Sequence, residues 1–525
     1  MKVEEYLIPA EDSAEGVIKK LSKSLRLSLS AAESFKQIFW DTDDWRLHRA
    51  GGYLETLTAN RRSATVWRNR SDGQELGRWQ GKCPEFAKDF PEGEGRSLLE
   101  PIIIMRALLP QAEVVGSVRR GVVLNSDEKT VARIETIDFQ SPKSKVPLPG
   151  RLRVVALRGY EKEFIKTVKT VEAKAGLTTA MGDPASTLFA TLGMDFGKDP
   201  NKVGMSFDGT MEAGRAIKSV LLRLLDIMEG NAQGIIDDVD TEYLHEFRVA
   251  VRRSRSALVP FKDCFKRESF ERFKEDLAWL GRDTGAPRDL DVWLLKFPKY
   301  KAMLPDSVKP QLDPLEGFLK KKRNSAYSKL RRDLKTKRYR EFVQDWRTFL
   351  EAAGPPDAEL PMAWEPVTVL ADKWIAKFYN RLIKEGSAIT PKTKAEALHD
   401  LRKTCKKFRY QIDFFAGLYP KAKFRAAAKE LKILQENLGD FQDLEVQADS
   451  LRGFASEMIE KGAKEGEVYL AMGMLVSDLL QRQSDVRQEF SQRFARFAGA
   501  ENQALFTELF FSKPVDQNPD KEAGA

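Results

Sequence analysis

The sequence predicts an α+β unit rich in antiparallel strands, followed by an all-helical region built from two related copies. Three observations predict it. Residues 1–175 alternate short β-branched runs with turns, as in "SATVWRN" and "RLRVVALRG". From about Glu212 to Phe497, apolar residues recur at three- and four-residue spacing almost throughout. Within that region one ungapped offset, the 154 residues from His245 to His399, superimposes two stretches of the same layout.

A chain of 525 residues is too long for a single core, so several domains are expected. In the first, "VGSVRRGVVLNSDEKTVARIETIDF" reads as a hairpin around "NSDEK", and "GVIKKLSKSLRLSL" as a helix among the early strands. Residues 176–211 are dense in Gly, Pro and Asp and read as a linker. The helical region follows over 212–500, with one copy at about 212–353 and the other at about 366–500. The Pro-rich "AAGPPDAELPMAWEP" separates the copies, and the polar tail 512–525 is expected to be disordered.

Composition excludes several classes. Apolar residues make up 42% and charged ones 31%, which suits a folded soluble protein. The three cysteines, Cys83, Cys264 and Cys405, are isolated, so neither a disulfide framework nor a structural zinc site is expected. The N-terminus lacks the apolar core of a signal peptide, and the run "PIIIM" is far short of the ~20 residues a membrane span needs. A cytoplasmic protein without membrane association is expected. A net charge of +9 matters only if the positive residues cluster.

They do cluster. The stretch "LHEFRVAVRRSRSALVPF" runs from Leu244 to Phe261, and "LHDLRKTCKKFRYQIDFF" from Leu398 to Phe415. Of three histidines in the chain, two are His245 and His399, each second in its stretch. The offset also maps Arg248 onto Arg402, Arg252 onto Lys406, Arg255 onto Arg409 and Phe261 onto Phe415. Farther on it aligns "RDLDV" (Arg288–Val292) with "QDLEV" (Gln442–Val446), and Gly285 with Gly439. Such a match implies duplication, and hence two helical bundles in a pseudo-two-fold relation.

On a helical wheel His245, Arg248, Arg252 and Arg255 share an arc of about 80°, beside the apolar arc rather than opposite it. His399, Arg402, Lys406 and Arg409 do the same. A solvated face would lie opposite the core, whereas a stripe along its edge lines a groove. Like charges at these spacings repel by a few tenths of a kcal/mol, about 0.2–0.5 per pair, so an anion must compensate. Asp289 and Asp291 can supply only part of that. Rows of Arg and Lys suit a flexible chain of phosphates, with Arg favoured for forked hydrogen bonds. The neighbouring aromatics Phe247, Phe261, Phe408 and Phe415 fall in the apolar arc, not where bases would stack, so nucleic acid is not expected.

The two stretches, with the "G..RDLDV" and "G..QDLEV" endings, resemble the signature helices of the CHAD family, the conserved histidine α-helical domain. The resemblance covers roughly residues 212–500. It implies two four-helix bundles about a pseudo-dyad and a basic central channel that binds inorganic polyphosphate, without catalysis, cofactor or metal. The matching positions are His245, Arg248, Arg252, Arg255 and Arg288, then His399, Arg402, Lys406 and Arg409. Gln442 stands where the first copy has Arg288. Lys429 and Lys432 are candidate additions, as are Arg223 and Lys377, which the offset pairs. Association with polyphosphate granules is a corollary. A metal site at His245, His399, Asp289 and Asp443 is opposed by the surrounding arginines. Asp289 and Asp443 are expected instead to orient basic side chains or cap helices.

The segment "FWDTDDWRLHRAGGYLE" (Phe39–Glu55) resembles part of the CYTH domain, a triphosphate tunnel fold, which implies an antiparallel tunnel-like barrel over 1–175. The ExExK motif of that family is altered here: Glu4 and Glu5 stand side by side with no following Lys. The LRxR strand reads "LETL", with Glu55 and Leu57 where arginines are expected. Arg68, Arg119, Arg120 and Glu135 remain as tunnel residues. Hydrolysis of triphosphate needs a divalent cation held by carboxylates and a basic cradle, so a diverged, inactive tunnel is expected. A metal-dependent triphosphatase in this unit, or a nucleic-acid or protein adaptor using the basic channel, are the alternatives. The run "KKKRNSAYSKLRRDLKTKRYR" is either a solvated face or an extension of the anion surface, and Trp67, Trp279, Trp346 and Trp374 are expected in cores.

Overall fold

The computed structural model describes residues 2–142, 147–180, 184–193, 199–203, 208–352, 359–462 and 466–511. The chain divides between Lys202 and Val203 into two compact units.

The first unit is one antiparallel sheet. Its strands are β1 (Val3–Ile8), β2 (Arg26–Leu29), β3 (Glu33–Asp41), β4 (Gly52–Ala59), β5 (Arg62–Asn69), β6 (Glu75–Gln80), β7 (Leu109–Leu124), β8 (Thr130–Gln140), β9 (Pro147–Ala156) and β10 (Thr178–Thr179). They run in the order β10-β1-β9-β8-β7-β3-β4-β5-β6, with β2 paired to β7. The β7–β8 hairpin turns at Asn125, whose side chain accepts hydrogen bonds from the amides of Asp127 and Lys129, as Asn does in tight turns. Strand alternation sorts the side chains between two faces. On one face Tyr6, Ile8, Leu152 and Val154 are buried beneath helices α1 (Ala14–Leu21) and α4 (Glu161–Ala175). On the other face Glu5, Arg151 and Arg153 line a cavity of about 920 Å³. Helices α2 (Arg46–Arg49) and α3 (Glu94–Ile103) close a second apolar cluster around Leu47, Trp67, Phe90 and Leu99.

The expected linker over 176–211 needs correction at its start. Thr178 and Thr179 pair with β1, and α5 (Pro184–Thr191) buries Leu188 and Phe189 against Phe39 and Tyr53. Two large apolar side chains in "STLFATL" outweigh the surrounding Gly and Pro, because their burial holds the segment to the sheet.

The second unit is helical. Its first copy comprises α6 (Ala213–Asp237), α7 (Thr241–Leu258), α8 (Arg267–Asp283), α9 (Gly285–Ala302), α10 (Asp313–Leu334) and α11 (Lys337–Glu351). After the short α12 (Pro361–Trp364), the second copy comprises α13 (Val367–Ser387), α14 (Ala395–Phe415), α15 (Lys421–Glu460), α16 (Gly466–Phe497) and α17 (Ala500–Phe510). The tail 512–525 lies outside the described residues. The single helix α15 replaces the pair α8–α9. Pro287 explains the difference: it cannot donate to the carbonyl of Asp283 and its ring clashes there, so the first copy breaks where Phe441 lets the second continue.

The two copies share their cores. One apolar cluster joins α6, α7, α8 and α11 to α13, α14 and the first half of α15. Another joins Leu290, Trp293, Phe297 and Leu319 of the first copy to Leu451, Phe454, Met472 and Leu475 of the second. Trp279 and Trp346 are buried in the first cluster, and Trp374 packs partly buried against it. Trp67 is buried in the sheet unit. No described helix is long and apolar enough to cross a membrane. Phe297→Ala should destabilise the helical unit by about 3–5 kcal/mol, as large-to-small core changes do, in urea unfolding followed by circular dichroism.

Candidate functional site

Helix α7 starts at Asp240, whose side chain accepts from the amides of Glu242 and Tyr243 and so caps the free end. It buries Leu244, Phe247, Val251 and Leu258, which sets the cations along the edge of the apolar face. Arg248 reaches α8, donating to the carbonyl of Gly281 at 2.9 Å and to Thr284 Oγ1 at 3.3 Å. That carbonyl belongs to the last turn of α8. Arg255 packs against Gly281, where any β-carbon would lie 2.8 Å from its guanidinium. Arg288, at the start of α9, donates to the carbonyl of Thr241 at 3.2 Å. His245 is half-buried on the same helix.

Of the equivalent residues on α14, Arg402, Arg409 and His399 have carboxylate partners. Arg402 donates to Asp443 at 2.9 Å while its buried Nε has no partner. Arg409 donates to Asp413, one turn on, at 2.9 Å. His399 meets Gln442 through Nδ1 and Glu445 through Nε2, the latter at 2.6 Å. Asp443 thus orients an arginine, as expected. In the first copy Asp291 is committed elsewhere, to Arg323 at 2.7 Å and to the Tyr327 hydroxyl at 2.6 Å. Burial raises the Asp289 carboxyl above the usual carboxylate range, against the pull of Arg248 and Arg288.

The two stripes converge. Arg252 of α7 lies over the ring of Tyr410 of α14, 5.4 Å from its centre, and Gln411 reaches the carbonyl of Ser256. Phe261 packs against Phe414 and Phe415. Lys406 of α14 records the crowding. Burial first, and then the charges of Arg402, Arg252 and Arg248, push its ammonium down to about 8, with Asp443 opposing. Burial likewise holds Arg248 below the usual arginine range, with Asp289 opposing and Arg252, Arg288 and Arg255 adding to the shift.

The outlying candidates join this centre less directly. Lys377 lies over Trp374 of its own helix, at 4.5 Å, and Lys432 pairs with Glu436 at 3.6 Å. Lys429 is exposed on α15 and Arg223 half-buried on α6. The basic run 320–340 is mostly paired: Lys322 with Glu457, Arg323 and Arg331 with Asp238, Lys329 with Asp283, and Arg338 with Asp276. Sequence reading missed Thr284 and Tyr410, whose signal is only their place opposite the stripe.

The sheet unit holds a separate charged cavity. Of the expected tunnel residues, Glu5, Glu55, Leu57, Arg68, Arg120 and Glu135 line it. Arg119 does not, because strand alternation turns it from the face of Arg120, and Glu4 lies instead 3.6 Å from Lys2. Arg70, Arg133, Arg151 and Arg153 were missed, although the two-residue spacing in "RLR" places Arg151 and Arg153 on one face. The carboxylates are engaged: Glu5 with Arg153 at 2.9 Å, Glu55 with Arg68 at 2.8 Å, and Arg120 with both Glu33 and Glu135 at 3.1 Å. Among the described residues no three His, Cys, Asp or Glu side chains group to hold a metal ion. A divalent cation held by carboxylates does not fit this arrangement.

Crowded cations cost stability. The Lys406 penalty is fully present below about pH 8 and is lost as pH rises to 10.5, its ordinary value. Lys406→Met should therefore raise the melting temperature at pH 7 in low-salt, phosphate-free buffer, and the gain should shrink above pH 8 in scanning calorimetry.

Comparison with known proteins agrees with the helical geometry. The CHAD domain family model matches residues 219–452. No curated protein matches the chain. Among solved structures, the chain is similar to the CHAD domain from the plant Ricinus communis, with 25% identity over 55% of this chain and 94% of that one and a TM-score of 0.47. It is similar to PptA from Streptomyces chartreusis, with 16% identity over 54% of this chain and 99% of that one and a TM-score of 0.42. The sheet region is similar to a Hippeastrum protein of adenylyl cyclase type described as having a dominant triphosphatase activity, with 10% identity over 36% of this chain and 96% of that one and a TM-score of 0.26. The duplicated helices that carry the facing cation rows, α7 and α14, both fall inside residues 219–452, the stretch of the helical unit that matches the CHAD domain family model.

Proposed function

We propose that the helical unit binds inorganic polyphosphate without chemically altering it, in the groove between α7 and α14. The observation that carries this reading is the approach of the two cation rows, close enough that Arg248 and Arg252 of one copy act on Lys406 of the other. Folding brings like charges together at a cost, and a polyanion is the ligand class that repays it. Arginines offer forked donors to phosphate oxygens, and no stacking platform for bases accompanies them. On this reading the protein is cytoplasmic and gathers at polyphosphate granules.

A second reading places triphosphate in the sheet unit. The arginines around the cavity favour it, and the engagement of every nearby glutamate with arginine opposes metal-dependent hydrolysis. Phosphate release from tripolyphosphate with magnesium, lost in Glu135→Gln, would support it.

Titration with long-chain polyphosphate should give an affinity that falls steeply with salt, by analogy with counterion release from nucleic acids. Arg252→Ala combined with Lys406→Ala should weaken binding at least about tenfold with helical content kept, since a charge-assisted hydrogen bond contributes roughly 1.5–3 kcal/mol. Because a bound anion favours the protonated ammonium, affinity should fall as pH rises through about 8. Lys406→Arg should flatten that dependence, arginine staying charged. An RNA that displaces polyphosphate at matched charge would favour the adaptor reading instead.

A further inference from the structure

The duplicated stripes are equal in sequence position but not in charge balance. In the first copy Arg248 donates to a carbonyl and a hydroxyl, and neither it, Arg252 nor Arg255 has a carboxylate within salt-bridge distance among the described residues. In the second copy Arg402, Arg409 and His399 each meet one: Asp443, Asp413 and Glu445. The asymmetry has a residue-level origin. Asp413, one turn after Arg409, corresponds by the repeat to Val259, which is exposed and uncharged one turn after Arg255. Glu445 corresponds to Asp291, which is buried and held by Arg323 and Tyr327. Asp443 corresponds to Asp289. Arg248 donates to the Gly281 carbonyl in the last turn of α8 rather than pairing with Asp289 at salt-bridge distance. Among the described residues Lys406 alone of the second-copy stripe has no carboxylate at salt-bridge distance, and Arg252 and Arg248 of the first copy act on it.

We propose that the groove is divided into a primary anion seat, formed by Arg248, Arg252, Arg255 and Lys406, and a guarded seat in which Asp413, Asp443 and Glu445 stand in for the ligand. The proposal rests on the polyphosphate reading and concerns how that ligand is graded by length. The first-copy row from Arg248 to Arg255 spans about 10 Å at the helical rise. A short oligophosphate fills that seat and gains nothing from the second. A long chain continues into the guarded seat and must displace carboxylates from Arg402 and Arg409. Asp443 and Asp413 are each about half exposed, and ion pairs of exposed groups are weak enough to be exchanged. The three carboxylates thus lower affinity and set a length threshold.

Calorimetric titration of the full chain with tripolyphosphate and with long-chain polyphosphate tests this. Arg252→Ala should cost about tenfold with both ligands, and Arg409→Ala a clearly smaller factor, since its charge is already answered. Asp413→Asn with Asp443→Asn should raise affinity for the long chain several-fold, more than for tripolyphosphate, and steepen the dependence on salt by analogy with counterion release. Equal losses from Arg252→Ala and Arg409→Ala, or a weaker long-chain complex in the folded Asp413→Asn, Asp443→Asn protein, would overturn the division while leaving polyphosphate binding intact. Failure of the unaltered protein to bind either ligand would overturn the functional reading itself. Asp413→Glu, which keeps the carboxylate, should leave affinity near that of the unaltered protein and separates charge from a structural effect.

Discussion

The helical unit is organised around an unfavourable interaction: positive side chains of one helix held against those of another. Lys406 is half-buried beside Arg402, Arg252 and Arg248, and both burial and repulsion disfavour its charge. Such an arrangement survives only because the apolar faces of α7 and α14 leave the cations nowhere else to go. Leu244, Phe247 and Val251 on one helix and Leu398, Leu401 and Cys405 on the other are buried in a single core, and the stripes lie beside them. The hydrophobic effect supplies the force that holds the cations together against their mutual repulsion.

Local chemistry then decides how each cation is restrained. Proline at 287 interrupts one helix, near whose end Arg248 meets the Gly281 carbonyl, whereas Phe441 keeps the matching helix whole and Arg402 turns to Asp443. Glycine at 281 leaves room for the Arg255 guanidinium, which a β-carbon would meet at 2.8 Å. Small changes in backbone and side-chain size have therefore redistributed charge between two halves that began alike. In the sheet unit the same sorting is done by strand alternation, which sends arginines and glutamates to the cavity and apolar residues beneath the helices.

Much of this was legible in the sequence because periodicity is a local property. The fixed offset located both stripes, and the helical wheel placed them beside the core rather than opposite it. Alternation likewise separates Arg120 from Arg119. What was not legible depends on long-range packing. Nothing in "STLFATL" says that it folds back on the sheet, and the repeat pairs Arg223 with Lys377 although Lys377 lies on its own tryptophan. Which acid answers which base was hidden for the same reason. Asp291 is next but one to Asp289 in sequence, yet it serves Arg323 and Tyr327.

The sharing of cores between the copies has a consequence for the history of the chain. Leu290 to Leu319 and Ala448 to Leu479 complete one another, so each half presents, when alone, an open apolar surface that its twin normally covers. Removing either half would therefore uncover the apolar surface of the other. Mutation remained free to reshape charges in one half only while the interior stayed matched. That lock explains how polar side chains could diverge as far as Val259 and Asp413 on a scaffold whose symmetry is still plain in its sequence.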